Sequence, residues 1–501
     1  MKLMIAGGGG FRVPQVVEVL AAARAGTGPY PGLEVDEVRL YDVSRRRLDV
    51  MRAVIADLGL PHAPAVVTTT EPAEAVRGAD FVFSAIRVGG AHGRVVDERV
   101  ALDRGVLGQE TVGVGGYAYA FRTVPAAMEL ARVVRDLAPE AWVINFTNPA
   151  GLITQAMRTL LGERVVGICD TPIGLVRRVA AALGLDEGRA GTADGGELDF
   201  DYVGLNHLGW LRSLSTAGHD RLPDLLASDE ALERIEEARV LGADWVRALG
   251  MLPNEYLYYY YLNRESVARI RREDLTRGEF LERQQGAFYD AVEREPGRAG
   301  ELWTRAHRQR EATYMSESRR PGELDRREED LAGGGYQQVA LDLMTAVSTG
   351  APARMILDVG NAQDHSGNSA GLLVPQLRED AVVEVPCVVD ADGVHPRRVG
   401  RLAGAELGLV SAVKGCEELA IDAALSGDLT LAGPGGPSPG RLRPRGPPHP
   451  GRLPPQQPRG GAGLRTLRSP GPAAAPGRPP TGIDPRGPGF TPHAFIEMPV
   501  F

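Results

Sequence analysis

The chain opens with LMIAGGGG, residues 3–10, a short apolar run that passes directly into four glycines. A helix-like pattern follows over residues 13–23, and a second apolar run, residues 35–41, ends at Asp42. A strand, a glycine turn, a helix and a second strand form one β-α-β unit, whose turn lets backbone amides approach a pyrophosphate. This stretch predicts a dinucleotide-binding fold at the start of the chain.

Further strand-like runs alternate with helical patterns along the first part of the chain, at residues 65–69, 81–86, 142–146 and 165–169. Such alternation is typical of a parallel sheet with helices on both faces. We predict an α/β fold in which a Rossmann-like, doubly wound parallel sheet of residues 1–195 precedes a second, α+β domain of residues 196–432.

The second part mixes long polar helices with short strands. Its predicted helices are residues 231–249, 277–294, 337–349 and 417–425, and its predicted strands are residues 200–204, 354–359 and 381–389.

Composition limits the classes of function. The chain has 501 residues and a formal net charge of −9, which argues against nucleic acid as its main partner. No segment approaches the roughly 20 apolar residues of a membrane helix, and the start lacks a signal-peptide core, so we expect a cytoplasmic protein with no membrane partner. Three cysteines, Cys169, Cys387 and Cys416, are too few for a disulfide framework.

The last segment, residues 433–501, has a different composition. It contains 19 of the 37 prolines, nine arginines, no lysine and two acidic residues, a local charge of +7 that leaves −16 on residues 1–432. This segment has too few large apolar residues to form a packed core. One hypothesis is a disordered tail, and the other is a frameshift near Ala432 in a GC-rich gene, which fits a chain with only two lysines.

The glycine turn and Asp42 are candidate dinucleotide-binding residues. Gly7 and Gly9 fit the G-x-G-x-x-G template, but Arg12 occupies its third glycine position. Asp42 is placed to accept hydrogen bonds from a ribose and favours NAD over NADP, whereas the nearby residues 45–47, all arginine, oppose that preference. A glycine turn that serves only the fold is the alternative.

Cys169 and His207 each follow a strand-like run and are candidate metal ligands. Two ligands are too few for a closed structural site, but they suit a catalytic divalent metal completed by substrate oxygens and water. The alternative is that both are buried core residues.

Tyrosines and arginines form two further candidate groups. Tyr256 and residues 258–261 are all tyrosines, which indicates a core or interface segment, or a base if one of them lies near a metal. Arg87, Arg94 and Arg277 are either solvated charges or a cradle for an anionic substrate.

Together these segments resemble the NAD- and metal-dependent glycoside hydrolases of family 4, over roughly residues 1–432. The matching segments are Ile5-Ala6-Gly7-Gly8-Gly9, Ile86-Arg87-Val88-Gly89-Gly90, Gly108-Gln109-Glu110-Thr111, Thr147-Asn148-Pro149-Ala150-Gly151, Cys169-Asp170-Thr171-Pro172, Gly204-Leu205-Asn206-His207, Pro253-Asn254-Glu255-Tyr256-Leu257 and Val383-Glu384-Val385-Pro386-Cys387.

The resemblance implies a role for each matching position. The cofactor NAD would be held by Gly7, Gly8, Gly9, Gly10 and Asp42. The divalent metal, usually Mn2+, would be bound by Cys169 and His207. The substrate would be bound by Arg94, Asn148 and Arg277. The catalytic residues would be Tyr256, as the base, and Asp170, the proton donor proposed in phospho-α-glucosidases.

The resemblance also implies the reaction. NAD takes hydride from C3 of the sugar, a base removes the C2 proton, the C1 substituent is eliminated, water then adds at C1, and the hydride returns. The substrate would be a small phosphorylated disaccharide or glucoside, and we expect a homo-oligomer, either a dimer or a tetramer.

Two segments favour the 6-phospho-β-glucosidase branch, namely residues 87–90 and 148–151, whereas Asp170 is the residue of the α-specific branch. The alternatives within the family are a 6-phospho-α-glucosidase and an α-galactosidase. Outside it, the alternatives are an oxidoreductase like the 2-hydroxy acid dehydrogenases and a non-catalytic NAD-binding relic.

Overall fold

The computed structural model describes residues 1–185, 198–313, 335–362 and 371–432. The predictions for residues 433–501 lie outside the described residues. Among the described helices, none is long and apolar enough to cross a membrane.

The described strands are β1 Lys2–Ala6, β2 Glu37–Tyr41, β3 Ala65–Thr69, β4 Phe81–Ser84, β5 Trp142–Asn145, β6 Val165–Ile168, β7 Asp199–Leu205, β8 Leu208–Thr216, β9 His219–Asp220, β10 Leu252–Pro253, β11 Ala353–Gly360, β12 Val382–Asp390 and β13 Gly393–Pro396.

The described α-helices are α1 Val13–Arg24, α2 Arg45–Asp57, α3 Pro72–Val76, α4 Gly90–Asp103, α5 Gly113–Leu137, α6 Ala150–Leu161, α7 Thr171–Ala182, α8 Leu222–Ala227, α9 Asp229–Glu233, α10 Glu236–Leu241, α11 Ala243–Leu249, α12 Tyr258–Tyr261, α13 Asn263–Ile270, α14 Arg277–Arg294, α15 Ala299–Ala312, α16 Tyr336–Thr349 and α17 Gly404–Ser426. Short 3-10 helices are Gly162–Arg164, Glu255–Leu257, Pro296–Arg298 and Leu429–Ala432.

The first six strands form a parallel sheet in the order β3-β2-β1-β4-β5-β6. This is the strand order of a Rossmann fold, and it confirms the prediction of a doubly wound sheet. Along β1, Leu3 and Ile5 pack into the core on one face of the sheet, while Met4 and Ala6 pack into the core on the other. Because both faces are covered, the strand is apolar throughout its length.

The later strands extend the same sheet in the antiparallel sense. β11 pairs with β6 through Leu357 opposite Ile168, and β12, β7, β8 and β10 follow in that order. The predicted combination of a parallel sheet with a later α+β region is therefore confirmed.

The predicted helix of residues 231–249 is wrong. The structure has three short helices there, α9, α10 and α11, because Ile235 is extended and Gly242 has a φ of +95°. The predicted helix of residues 417–425 is only the end of the longer α17. The prediction for residues 277–294 is confirmed, and a capping box between Thr276 and Glu279 explains where α14 begins.

Candidate active site

A cavity of about 1460 Å3 lies where β1, β2, β4, β5 and β6 end. Ligands of open α/β sheets bind at this edge. The structure brings ten of the twelve predicted site residues to its wall: Gly7, Gly10, Asp42, Arg94, Asn148, Cys169, Asp170, His207, Tyr256 and Arg277. Gly8 and Gly9 belong to the same turn but are not part of the wall.

The glycine turn after β1 is shaped by close contacts with neighbouring strands. Gly7 has a φ of +86°, and a Cβ there would lie 2.4 Å from the carbonyl oxygen of Ala85. A Cβ on Gly8 would lie 2.6 Å from Leu40 Cα. Because these glycines lack a Cβ, the turn packs directly against Leu40 in β2 and Ala85 after β4. Gly7 and Gly10 line the cavity immediately before α1. A turn of this kind fits a pyrophosphate.

Asp42 is held at the end of β2 by two backbone amides. Its Oδ2 accepts a hydrogen bond from Gly9 N at 3.1 Å, and its Oδ1 accepts one from Ser44 N at 2.9 Å. The hydroxyl of Tyr289 in α14 donates to Gly9 O at 2.7 Å and secures the turn from the opposite side. The carboxylate is thereby fixed at the cavity wall and retains lone pairs for a ribose hydroxyl.

His207 occupies the turn between β7 and β8 with a φ of +63°, which is unusual for a residue other than glycine. Its Nδ1 lies 2.9 Å from the hydroxyl oxygen of Thr111, and that hydroxyl donates its proton to Gln109 Oε1 at 3.2 Å. With the hydroxyl proton on Gln109, the Thr111 oxygen accepts a hydrogen bond from Nδ1–H of His207, and this tautomer leaves the lone pair of Nε2 for a metal. Burial lowers the pKa of His207 to about 3, so the ring is neutral, as a metal ligand must be.

Cys169 is buried immediately after β6, with its Sγ 3.3 Å from the hydroxyl of Thr171. Burial, and then the charge of Asp170, raise the pKa of the thiol well above its usual range. A bound cation would favour the thiolate. Within the described ranges, no group of three or more His, Cys, Asp or Glu side chains is arranged to hold a metal. A thiolate and an imidazole are two metal donors, and a metal held by them would be completed by substrate oxygens and water.

Tyr256 is the tyrosine of its run that lies against His207. The two rings stack with centroids 3.7 Å apart and planes 6° from parallel. By contrast, Tyr258 and Tyr260 are buried outside the cavity, and Tyr261 accepts a hydrogen bond from Trp210 Nε1 at 2.9 Å. Tyr259 also lines the cavity, but Tyr256 is the tyrosine whose ring lies against His207, so the geometry favours Tyr256 as the candidate base.

Asp170 and Asn148 reach the cavity from the ends of two adjacent strands. Asp170 is the N-cap residue of α7, but its side chain makes no capping hydrogen bond. Its carboxyl group is therefore not committed to the helix. Asn148 precedes Pro149 in the loop between β5 and α6.

The three predicted arginines make contacts within the protein. Arg94 is paired with Glu98 at 2.6 Å and with Glu110, which also pairs with Arg87. Arg277, the first residue of α14, donates to the hydroxyl of Thr313 at 2.7 Å. These contacts orient the guanidinium groups along the cavity.

Arg310 in α15 is a cavity residue that sequence reasoning missed. Its Nε is buried and has no hydrogen-bond partner in the described part of the chain. Burial, followed by the charges of Arg12 and Arg277, lowers the pKa of Arg310 well below its usual range. Its guanidinium carbon lies 6.0 Å from the centre of the Phe11 ring. An anion bound beside Arg310 would therefore supply an acceptor for Nε and offset the neighbouring positive charges.

Three further residues were missed as functional residues, although each lies within a matching segment. Thr111 orients His207, Thr171 contacts Cys169, and Asn254 contacts Thr171 at 2.8 Å. Their presence inside the quoted motifs was a signal. For Arg310 there was none, because it lies in a polar helix outside every motif.

Two family descriptions match the chain. "Family 4 glycosyl hydrolase" matches residues 2–185, and "Family 4 glycosyl hydrolase C-terminal domain" matches residues 202–433. The 6-phospho-beta-glucosidase of Escherichia coli (strain K12) is 29% identical over 442 residues, which cover 85% of this chain and 88% of that protein. The maltose-6'-phosphate glucosidase of Bacillus subtilis (strain 168) is 28% identical, and the match covers 84% of this chain and 87% of that protein.

Among solved structures, the 6-phospho-beta glucosidase from Thermotoga maritima with NAD and glucose-6-phosphate has a TM-score of 0.68 and 26% identity. The match covers 86% of this chain and 91% of that one. A second structure of that enzyme, with manganese, NAD+ and glucose-6-phosphate, has a TM-score of 0.66, with 86% and 92% covered. Because the two family matches together span most of the sequence, the chain belongs to family 4 of the glycosyl hydrolases and is an enzyme that acts on glycosyl compounds.

Proposed function

We propose that this enzyme hydrolyses 6-phospho-β-glucosides with the help of NAD and a divalent metal, Mn2+. The observation that supports a phosphorylated substrate is the environment of Arg310, whose buried Nε lacks a hydrogen-bond partner among the described residues. A neutral sugar would not offset the positive charges of Arg310 and its neighbours Arg12 and Arg277. A phosphate group has three acceptor oxygens and suits a guanidinium group with further arginines beside it.

The residues present fit both cofactors. NAD would lie over Gly7 and Gly10 with a ribose at Asp42, and the metal would be held by Cys169 and His207. When bound, NAD supplies a reversible hydride acceptor and the metal supplies positive charge beside the sugar oxygens.

The remaining chemistry is proton transfer by this chain. Tyr256 would take the C2 proton of the sugar, because it stands against the candidate ligand His207 in the same cavity. Asp170 would give a proton to the leaving group, since it lines the cavity and its side chain does not cap α7. Arg310, Arg94 and Arg277 would hold the phosphate, and Asn148 would bind the sugar.

The proposal also specifies the anomer of the substrate, the β-glucoside. Two relatives support it, the 6-phospho-beta-glucosidase of Escherichia coli, 29% identical, and a probable 6-phospho-beta-glucosidase of Bacillus subtilis, 28% identical, together with the segments of residues 87–90 and 148–151. The second candidate is a 6-phospho-α-glucosidase. Asp170 favours it, as does the 6-phospho-alpha-glucosidase 1 of Lacticaseibacillus paracasei, which is 28% identical.

The test is the release of p-nitrophenol from 6-phospho-β-glucoside, 6-phospho-α-glucoside and the unphosphorylated β-glucoside, with NAD and Mn2+ each added and withheld. We expect turnover of the 6-phospho-β-glucoside only when both are present, and no net NADH. Faster turnover of the α-anomer would establish the second candidate instead. Accumulating NADH without release of p-nitrophenol would indicate a dehydrogenase.

A further inference from the structure

The side chain of Asn254 joins two parts of the site. It is fully buried, its Oδ1 accepts a hydrogen bond from Tyr256 N at 3.0 Å, and its Nδ2 donates to Thr171 Oγ1 at 2.8 Å. A backbone N–H can only donate, so the amide atom that faces Tyr256 must be the oxygen. The NH2 group is therefore the end that faces Thr171.

This orientation determines what the Thr171 hydroxyl can do. Its oxygen already accepts a hydrogen bond from Asn254, and its own proton remains available. The Cys169 sulfur lies 3.3 Å away. A thiolate has no proton, so a hydrogen bond between Thr171 and a Cys169 thiolate requires Thr171 to be the donor.

A second buried contact keeps Asn254 in the role of donor. Its Nδ2 lies 3.4 Å from the hydroxyl oxygen of Tyr202, and that hydroxyl donates to Glu384 at 3.0 Å. The Tyr202 proton is thus directed away from the amide. Both hydroxyl oxygens beside Asn254 accept from the same NH2 group, and neither competes to donate to it.

We propose that Asn254 is a positioning residue that directs the proton of the Thr171 hydroxyl onto the sulfur of Cys169 when Cys169 binds the metal as a thiolate. The inference rests on the proposed function, which puts the metal on Cys169 and His207. Asn254 also caps the 3-10 helix Glu255–Leu257. If capping were its whole role, aspartate would serve equally well, because Asn and Asp are comparable caps.

Three substitutions separate these roles. Asn254→Asp keeps an oxygen for Tyr256 N but sets a second oxygen opposite Thr171, which draws the hydroxyl proton away from the sulfur. Thr171→Val removes the donor with little change of shape, and Thr171→Ser retains it. The matched control is Asn361→Asp, a buried amide beyond the other end of β6 that donates to the carbonyls of Val374 and Leu377.

The measurement is the thiolate-to-cobalt charge-transfer band when Co2+ is titrated into the full chain with NAD and glucose 6-phosphate. A hydrogen bond stabilises the sulfur lone pairs, so we expect Asn254→Asp and Thr171→Val to move the band to longer wavelength and weaken Co2+ binding roughly 10- to 100-fold. Thr171→Ser and Asn361→Asp should leave the band in place.

Four other results would contradict either this proposal or the proposed metal site. An unshifted band in Thr171→Val overturns the hydrogen bond to sulfur, and an unshifted band in Asn254→Asp alone overturns the role of Asn254. An equal shift in Asn361→Asp would show a general effect of destabilisation and also overturn the proposal. Absence of any thiolate band in the unchanged protein would instead be a failure of the proposed metal site.

Discussion

The imidazole ring of His207 lies face to face with the phenol ring of Tyr256, with their centroids 3.7 Å apart. The two residues belong to different parts of the chain, the β7–β8 turn and the 3-10 helix after β10. The contact puts the candidate metal ligand and the candidate base side by side. In the proposed reaction, the proton that Tyr256 removes would lie next to the charge that stabilises its loss.

Replacement of Cys169 tests the metal site. Cys169→Ser should lower Mn2+ affinity at least roughly 10-fold and abolish metal-dependent turnover, while NAD still binds, because a serine hydroxyl is a far weaker ligand than a thiolate. Calorimetric titration with Mn2+ and with NAD measures both. The control is Cys387→Ser, another buried cysteine, whose thiol donates to Val385 O. Equal Mn2+ affinity in the two variants would contradict the assignment.

Replacement of Tyr256 tests the base. Tyr256→Phe should lower kcat roughly 100- to 10,000-fold, the usual contribution of a general base, without weakening Mn2+ binding. With a substrate deuterated at C2, the unchanged enzyme should release the label to solvent during turnover. Tyr260→Phe, a buried tyrosine of the same run, is the control. Product that retains its deuterium would exclude the elimination route and require a conventional displacement by carboxyl groups such as Asp170 and Glu110.

Replacement of Arg310 should affect the stability of the protein and the binding of phosphorylated substrate in opposite directions. Arg310→Met should raise the free energy of unfolding without ligand by about 1–3 kcal/mol, because it removes a guanidinium that lies beside Arg12 and Arg277 and whose buried Nε has no hydrogen-bond partner among the described residues. It should also lower kcat/KM for the phosphorylated glucoside roughly 10- to 100-fold. Inorganic phosphate should raise the Tm of the unchanged protein but not that of Arg310→Met.

The control for Arg310 is Arg305→Met, an exposed position of the same helix. It should change neither stability nor phosphate stabilisation appreciably. If Arg310→Met retains the full effect of phosphate on Tm, the anion is bound elsewhere.

These predictions differ in how far the sequence alone could have led to them. Cys169 and Asp42 could be placed because each follows an apolar run typical of a parallel strand, and such strands end at one edge of the sheet. Arg310 could not be placed, since its burial depends on packing near Phe11, which is distant in sequence. The break at Gly242 was missed because the helical pattern of charged and apolar residues continues across it.

The buried carboxyl group of Asp358 predicts a dependence of stability on pH. Burial raises the pKa of Asp358 to about 7, with the cation of Lys414 acting in the opposite direction. Between about pH 4 and 7 the unfolded chain ionises this group and the folded chain does not, so folding stability falls as pH rises.

Asp358→Asn removes that titration. Its stability relative to the unchanged protein should therefore increase by roughly 1 kcal/mol per pH unit from pH 4 to 7 and then level off, as measured by urea unfolding. Asp392→Asn, at an exposed position between β12 and β13, is the control and should show no such trend. A constant difference between Asp358→Asn and the unchanged protein across this range would mean that Asp358 is ionised in the folded state.

The last prediction concerns residues 433–501. Their composition, rich in proline, glycine and arginine, changes abruptly after Ala432, and the family match ends at residue 433. Because such a segment offers few apolar groups to bury, deleting it should change the free energy of unfolding by no more than about 0.5 kcal/mol, as for other surface changes. Urea unfolding and turnover of the shortened chain, each compared with the full chain, measure this. A loss of several kcal/mol, the usual cost of removing packed core groups, would show that the segment is a structural element and contradict the frameshift hypothesis.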